Sequence, residues 1–330
     1  MNYADIISIE NLFQAWSEFR KGKKKRKDVI IFERNLEDNL FDLQTALKNK
    51  VYQHGQYHDF FVHDPKRRHI HKAPVADRII HHLLYKYLYK LWDKTFIYDS
   101  YSCRVGKGTH KGVERLKKFT RKVSQNYTRP CWALKLDIKK FFASVDHSIL
   151  IELLKKKIKD KDILWLLQKV IQSFPQGIPL GNLTSQVFAN IYMNELDQYI
   201  KQYIKFTYYI RYADDFVVLS ESRETLEKMV DPVSQFIKNS LKLELHPHKI
   251  ILRNLNWGID FLGYIVLPHY ILPRTKTKKR IFSKLKGKIG DENFNQSLQS
   301  YLGYLFHANS FKITEQLKNQ IWMWQAEKLL

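Results

Sequence analysis

Three carboxylates stand out in a chain that is otherwise strongly basic. Asp214 and Asp215 are adjacent, set between the β-rich runs of Phe206 to Ser220 (FTYYIRYADDFVVLS), and Asp137 closes the run CWALKLD that starts at Cys131. Like charges side by side repel each other and persist where a cation neutralises them. Oxygen donors without a nearby cysteine or a spaced histidine set suit a hard, octahedral ion such as Mg²⁺. Two such ions about 4 Å apart would clamp the attacking and leaving oxygens of an in-line phosphoryl displacement. An adjacent acidic pair is also an ordinary polar turn. Here the flanking apolar runs and the surplus of positive charge favour the metal reading.

The hydropathy pattern indicates which elements must position these acids. Phe206 to Ser220 reads as a hairpin with the acids at or beside its tip, and Cys131 to Asp137 as a short strand. Asp77 to Trp92 (DRIIHHLLYKYLYKLW) places Ile79, Ile80, Leu83, Leu84, Tyr87, Leu88 and Leu91 on one helical face. Residues 1–50 are expected to be largely helical, with Leu36, Leu40, Leu43 and Leu47 in register. Asn182 precedes a long helix running to about Tyr203, and Phe261 to Leu267 reads as a further strand. Residues 264–330 hold 11 Lys+Arg against 4 Asp+Glu, so the clearest compositional boundary falls near Tyr264.

The 330 residues carry 56 Lys+Arg against 33 Asp+Glu, a net charge of +23 and a pI near 9.7. Four basic runs recur: Lys21 to Lys27, Lys66 to Arg68, Lys155 to Lys157, and Arg274 to Arg280. One such run is ordinarily a solvated surface. Four spread over the whole length fit an extended phosphate track whose binding is salt-dependent. An anionic membrane would attract the same charge, but no basic amphipathic helix or lipidation signal supports it.

With 44% hydrophobic and 14% aromatic residues the chain is not a disordered polyelectrolyte. Two cysteines, Cys103 and Cys131, exclude a disulfide framework and a cysteine-ligated zinc site. The N-terminus MNYADIISIENLF does not read as a secretory signal. The longest uncharged stretch, Val170 to Asn194, is broken by Pro175, Gly177, Pro179 and Gly181 and is no membrane span. The expectation is a soluble, cytoplasmic protein with a polyanionic partner and no membrane.

RYADDFVVLS (Arg211 to Ser220) resembles the Tyr-x-Asp-Asp box of reverse transcriptases, and LKLDIKKFFASVDH (Leu134 to His147) resembles their first catalytic block. FLGYIV (Phe261 to Val266) looks like the primer-grip strand, and KLELHPHKIIL (Lys242 to Leu252) like the block before it. DRIIHHLL and YSCRVGKGTH (Tyr101 to His110) are similar to the finger blocks. The resemblance covers residues 65–330 in the family's order. It implies an α+β right-hand polymerase with an antiparallel-sheet palm and a helical thumb. A helical extension would occupy 1–64, fingers 65–130 and 151–181, palm 131–150 and 182–265, and thumb 266–330.

Carried onto matching positions, the resemblance makes Asp137, Asp214 and Asp215 the ligands of two Mg²⁺ ions, with Mn²⁺ able to substitute and the Ile138 carbonyl as a further ligand. Phe142 falls where a bulky ring screens the sugar 2′-carbon and selects dNTPs, whereas Phe141 fits an ordinary core position. Lys72 and Arg104 would contact the triphosphate. Lys249 would give a proton to pyrophosphate, or is simply a surface lysine. Phe261, Leu262 and Gly263 would grip the primer.

One block departs from most of the family. Where a Gln-Gly-x-x-x-Ser-Pro motif lies against the nascent base pair, this chain has LGNLTSQ, with Leu180 at the glutamine and Gln186 at the proline. Gln176-Gly177 offers a second register but lacks the Ser-Pro that should follow. The Leu-Gly-x-x-x-Ser-Gln form, and the tail from Gln296 to Ser310, are similar to the reverse transcriptases of diversity-generating retroelements. That resemblance implies a bacterial or phage-encoded enzyme copying a template-repeat RNA into adenine-mutagenised cDNA, holding an RNA/cDNA duplex, with a small basic pentameric accessory variability protein as partner. Retron, group II intron-like or phage-defence enzymes share the chemistry. A non-catalytic RNA-binding scaffold has no use for three converging carboxylates.

The 13 histidines include His54, His58, His63, His69, His71, His81 and His82. His54 and His58 have i,i+4 spacing, but Gly55 lies between them and no companion glutamate follows, so these histidines read as surface or RNA-facing. Trp322 and Trp324 either stack on a base or pack the terminal helices. Residues 266–330 are expected to be too few for an RNase H or endonuclease domain beyond the thumb.

Overall fold

A computed structural model describes residues 2–63 and 66–329, so the boundary expected at 64/65 lies outside the described residues. Nine strands are described: β1 (His58–Val62), β2 (Arg68–Lys72), β3 (Trp132–Asp137), β4 (Tyr209–Tyr212), β5 (Asp215–Ser220), β6 (Ile251–Asn254), β7 (Ile259–Phe261), β8 (Tyr264–Val266) and β9 (Ile271–Pro273). The chain divides into two compact units. The first holds Met1–Cys103, Asp137–Lys205 and Asp231–His246; the second holds Arg104–Leu136, Phe206–Val230 and Pro247–Leu330.

The first unit is mostly helical. Helix Val75–Trp92 buries Ile79, Ile80, Leu83, Leu84 and Leu88, the stripe expected from its spacing. It packs against helix Leu183–Gln198. That helix is buried almost all round, from Thr184 to Met193 with few gaps, so its apolar pattern shows little amphipathic contrast. Tyr192 is fully buried and donates to the Leu241 carbonyl at 2.6 Å. The first 50 residues form helices Ile9–Arg20, Lys27–Arg34 and Leu36–Lys48 after a short opening turn. Strands β1 and β2 make a separate antiparallel ribbon.

The second unit is built on a four-stranded sheet in the order β4-β5-β3-β6. β4 and β5 are the expected hairpin, paired from Tyr209↔Val218 to Tyr212↔Asp215. Helix Thr109–Val123 packs on β4, β5 and β8, and helix Arg223–Lys228 on β5 and β6.

A second sheet, β7-β8-β9, corrects one expectation. Phe261 to Leu267 is not one strand, because the chain reverses at Leu262 and Gly263, both left-handed (φ 51° and 93°). Two consecutive positive φ values are what a tight hairpin requires. The compositional change near Tyr264 falls inside this sheet. Three terminal helices follow, with Ile281, Leu285, Leu305, Leu317, Ile321 and Trp324 as their common core. Trp324 is thus a packing residue, whereas Trp322 is 73% exposed.

The histidines also need correction. His81 is buried, with Nδ1 2.7 Å from Thr184 Oγ1 and Nε2 3.3 Å from His54 Nε2. The His54 side chain is only 2% exposed and lies 3.9 Å from Asp77, whose carboxylate also accepts from Tyr52 and the Gly55 amide. Hydrogen-bond partners explain why these imidazoles are tolerated inside. Burial first, then the charges of His54, His82 and Arg78, push His81 down to about 3; His82 falls to about 4 for the same leading reason.

The unfolded chain therefore takes up these protons near the ordinary value of 6.5, and the folded chain only well below it. Stability should be fully present above pH 6.5 and decline as pH falls from there toward 3, by about 1.4 kcal/mol per pH unit for each such proton. Thermal unfolding at pH 7 and pH 5 tests this. A His81→Gln variant should flatten the dependence, and a parent midpoint equal at both pH values would contradict it.

Candidate active site

The acidic turn is two residues long, closed by the Tyr212↔Asp215 pair. Ala213 takes the left-handed conformation (φ 55°), and Arg211 Nη1 donates to its carbonyl at 2.9 Å. Arg211 is fully buried in β4. It braces the turn from within, a role the sequence signals only as a lone cation inside an apolar strand. Tyr212 lies 3.4 Å from the Thr109 hydroxyl at the start of helix Thr109–Val123. The turn is thus held at its base by a helix and beneath by a buried guanidinium.

Asp214 sits in the turn and Asp215 begins β5, both half-buried. β3 is the sheet neighbour of β5. Lys135 of β3 reaches Asp215 Oδ2 at 3.0 Å and donates to the Asp260 carbonyl at 3.0 Å. Asp137 ends β3 two residues further on, so it shares a strand face with Lys135. The Asp137 carbonyl accepts from His246 N at 2.8 Å, and Ile138 is buried, bridged to Leu245.

Among the described residues no three His, Cys, Asp or Glu side chains are grouped closely enough to hold one ion. The donor chemistry nevertheless fits a hard cation. The hairpin offers only carboxylate oxygens, and one of them already accepts a positive charge, the Lys135 ammonium. The sequence reading missed Lys135, although it lies two residues before Asp137 on the same strand.

The other expected residues distribute as follows. Phe142 is half-buried beside fully buried Phe141, the two rings T-shaped at 5.3 Å. Its carbonyl accepts from Ile178 N at 2.7 Å, and Gly177 (φ 72°) lies so close that a Cβ there would stand 2.3 Å from that oxygen. Gly177 therefore fixes the Phe142 backbone, which gives the Gln176-Gly177 pair a structural role. Leu180 is half-buried, and its carbonyl accepts from His71 N of β2 at 2.8 Å. Gln186 is exposed on the first turns of helix Leu183–Gln198.

Lys72, on β2, is paired with Asp28 at 2.7 Å, and Arg78 pairs with the same carboxylate. Burial alone would raise Asp28, but the hydrogen bonds and charges of Lys72 and Arg78 outweigh it and bring the carboxyl down to about 2.

Arg104 opens the second unit and is half-buried, as is Lys249, the last residue of the turn Pro247–Lys249. Phe261 is fully buried and precedes the Leu262-Gly263 turn. The Gly263 carbonyl accepts from Tyr304 Oη at 2.6 Å and from Arg274 N at 3.0 Å. Tyr264 stacks on Tyr304 at 4.6 Å. A helix of the C-terminal bundle thus braces the hairpin tip.

Residues 62–266 match the family model described as reverse transcriptase (RNA-dependent DNA polymerase). The chain belongs to the reverse transcriptase family. Protein YkfC of Escherichia coli K12 is 24% identical over 232 residues, covering 58% of this chain and 60% of that protein. The group II intron-encoded protein LtrA of Lactococcus lactis is 22% identical over 323 residues, covering 75% and 51%. The retron Ec73 reverse transcriptase of Escherichia coli is 26% identical over 198 residues, covering 52% and 60%. The chain therefore spans between half and three fifths of the length of these relatives.

Among solved structures, telomerase from Candida albicans superposes with a TM-score of 0.53 at 12% identity, covering 85% of this chain and 61% of that one. Apo telomerase from Candida tropicalis gives 0.54 at 14%, covering 83% and 58%. The fold is the α+β right-hand polymerase fold that the motifs imply. No helix among the described residues is long and apolar enough to cross a membrane.

Proposed function

We propose that the chain is an RNA-directed DNA polymerase. A primer 3′-hydroxyl, its proton passing to water, attacks the α-phosphate of a dNTP paired to a template RNA base, an oxygen–phosphorus bond forms, and the bond to pyrophosphate breaks. The observation that carries this reading is the two-residue acidic turn of β4 and β5, next in the sheet to the strand ending in Asp137, within the span matched by the reverse transcriptase family model.

On this reading Asp137, Asp214 and Asp215, with the Ile138 carbonyl, hold two divalent ions. Bound Mg²⁺ would stabilise charge on the attacking and leaving oxygens. Lys135 pairs with Asp215 and orients it before substrate arrives. Arg104 and Lys72 hold the triphosphate, Lys72 by exchanging Asp28 for phosphate, and Lys249 donates a proton to the leaving pyrophosphate. Phe142 excludes a ribose hydroxyl, and Phe261 to Gly263 hold the primer end. The fingers, palm and thumb follow the segments set out above.

The finer reading is an enzyme of a diversity-generating retroelement, working with a template-repeat RNA and a small basic pentameric accessory protein. Leu180 and the Ser185-Gln186 pair support it. An aliphatic side chain against the nascent pair offers no hydrogen bond, so geometric selection there is weaker. A second reading, a retron or group II intron-like enzyme, is supported by the names of the relatives.

The error spectrum on an RNA template separates the two. The retroelement reading predicts misincorporation concentrated opposite adenines, and about 10-fold fewer such errors in Leu180→Gln, the scale of one net hydrogen bond. Errors spread evenly over the four template bases would favour the second reading. An unchanged spectrum in Leu180→Gln would remove Leu180 from the explanation.

A further inference from the structure

The second unit carries a basic cavity that the proposed reaction does not use. It has a volume of about 540 Å³, and its walls include Lys117, Lys118, Arg121, Asn126, Tyr127 and His269. Glu114 also lines it, one helical turn before Lys117 and Lys118. Positions 114, 117, 118 and 121 form one stripe of helix Thr109–Val123, on which three cations outnumber the single carboxylate. None of these lysines or arginines belongs to the four basic runs of the sequence. The helix starts at Thr109, beside Tyr212. At 1.5 Å per residue, Lys117 to Arg121 lie about 12–18 Å along its axis from there.

The rim is unusual. Gln125, Asn126 and Tyr127 are consecutive left-handed residues, with φ of 47°, 62° and 70°. L residues adopt that conformation only where neighbouring groups impose it. Here Asn126 N donates to the Arg121 carbonyl at 2.8 Å and Tyr127 N to Ser124 Oγ at 2.9 Å, while Arg121 Nε donates to Asn126 Oδ1 at 2.8 Å. The strained loop therefore fixes the Arg121 guanidinium and the Tyr127 ring together at the cavity wall. From the opposite side, Lys117 Nζ donates to the His269 carbonyl at 3.2 Å, and the His269 ring meets Tyr127 edge-on at 4.9 Å.

A wall of three cations, with Arg121 and Lys117 held by hydrogen bonds and Lys118 exposed beside them, and two rings suits a ligand with both phosphate and base. A cavity of this size is far larger than a lone anion needs and takes a small organic group. A duplex presents phosphates but keeps its bases stacked inside, so an unstacked nucleotide of a single strand fits best. We infer that this cavity is a second nucleic-acid site, which takes one unstacked nucleotide of single-stranded RNA, its base against Tyr127 and His269 and its flanking phosphates on Lys118 and Arg121. The choice of RNA rests on the polymerase reading above; the site would anchor RNA outside the copied stretch.

Fluorescence anisotropy with a labelled single-stranded RNA, over a series of KCl concentrations, tests it. Lys118→Ala/Arg121→Ala should bind about 10-fold more weakly, with the salt slope reduced by about 1 to 2. Tyr127→Ala should lose about 10-fold with the slope kept, as expected for stacking. Extension of a short primer–template duplex at saturating concentration should match the parent in all variants. Should the double variant fail to fold, Lys118→Glu alone, at an exposed position, must lose at least 10-fold.

Unchanged affinity and slope would overturn the inference. So would an equal loss for single-stranded or duplex DNA, which would make the cavity a generic phosphate surface. A parent that binds RNA in this way yet extends no primer would defeat the polymerase reading and leave the RNA site standing.

Discussion

Asp215→Asn is expected to fold like the parent chain and to lose at least about 10³-fold in dNTP incorporation, and Asp214→Asn to do likewise. The replacement keeps the shape of the side chain and removes one negative charge from the pair that the hairpin presents. Divalent ions contribute several kcal/mol to charge stabilisation at the reacting oxygens, and each 1.36 kcal/mol is tenfold in rate. The fold should tolerate the change, because both acids are half-buried at the end of a hairpin whose strand residues Phe216 to Leu219 carry the packing. Single-turnover primer extension measures the loss, and circular dichroism checks the fold. Synthesis within tenfold of the parent by either variant would refute the assignment of the acids.

Phe142→Val should relax sugar selection by about 10²-fold, read as the ratio of kcat/KM for a dNTP and the matching rNTP. Removing a wall against one hydroxyl is worth the few kcal/mol that a shape change in a pocket can supply. Gly177 and the Ile178 amide pin the Phe142 backbone, so the ring is the part that changes. Because the ring is half-buried, the stability cost should stay near about 1 kcal/mol, below that of a fully buried phenylalanine. An unchanged ratio would make Phe142 a packing residue like Phe141.

Regular patterns carried most of the architecture into the sequence. Ile79 to Leu88 and Tyr209 to Leu219 follow helical and strand periods, and the elements form where those periods place them. What escaped depends on partners distant in sequence. The turn at Leu262-Gly263 hides inside an apolar run because leucine at φ 51° carries no composition signal, and its brace, Tyr304, comes 41 residues later. His54 and His81 look like surface residues until Thr184 and Asp77 are placed beside them. The candidate site behaved similarly. Asp214 and Asp215 were conspicuous as an acidic pair, whereas Lys135, Arg211 and Gly177 act through neighbours supplied by the folded chain.

The most direct trial of the account is extension of a DNA primer on an RNA template by the purified chain, with Mg²⁺ present and then chelated. Elongation should depend on dNTPs, stop when the ion is removed and return when it is restored. A chain that binds the primer–template and adds no nucleotide at any Mg²⁺ or Mn²⁺ concentration would contradict it.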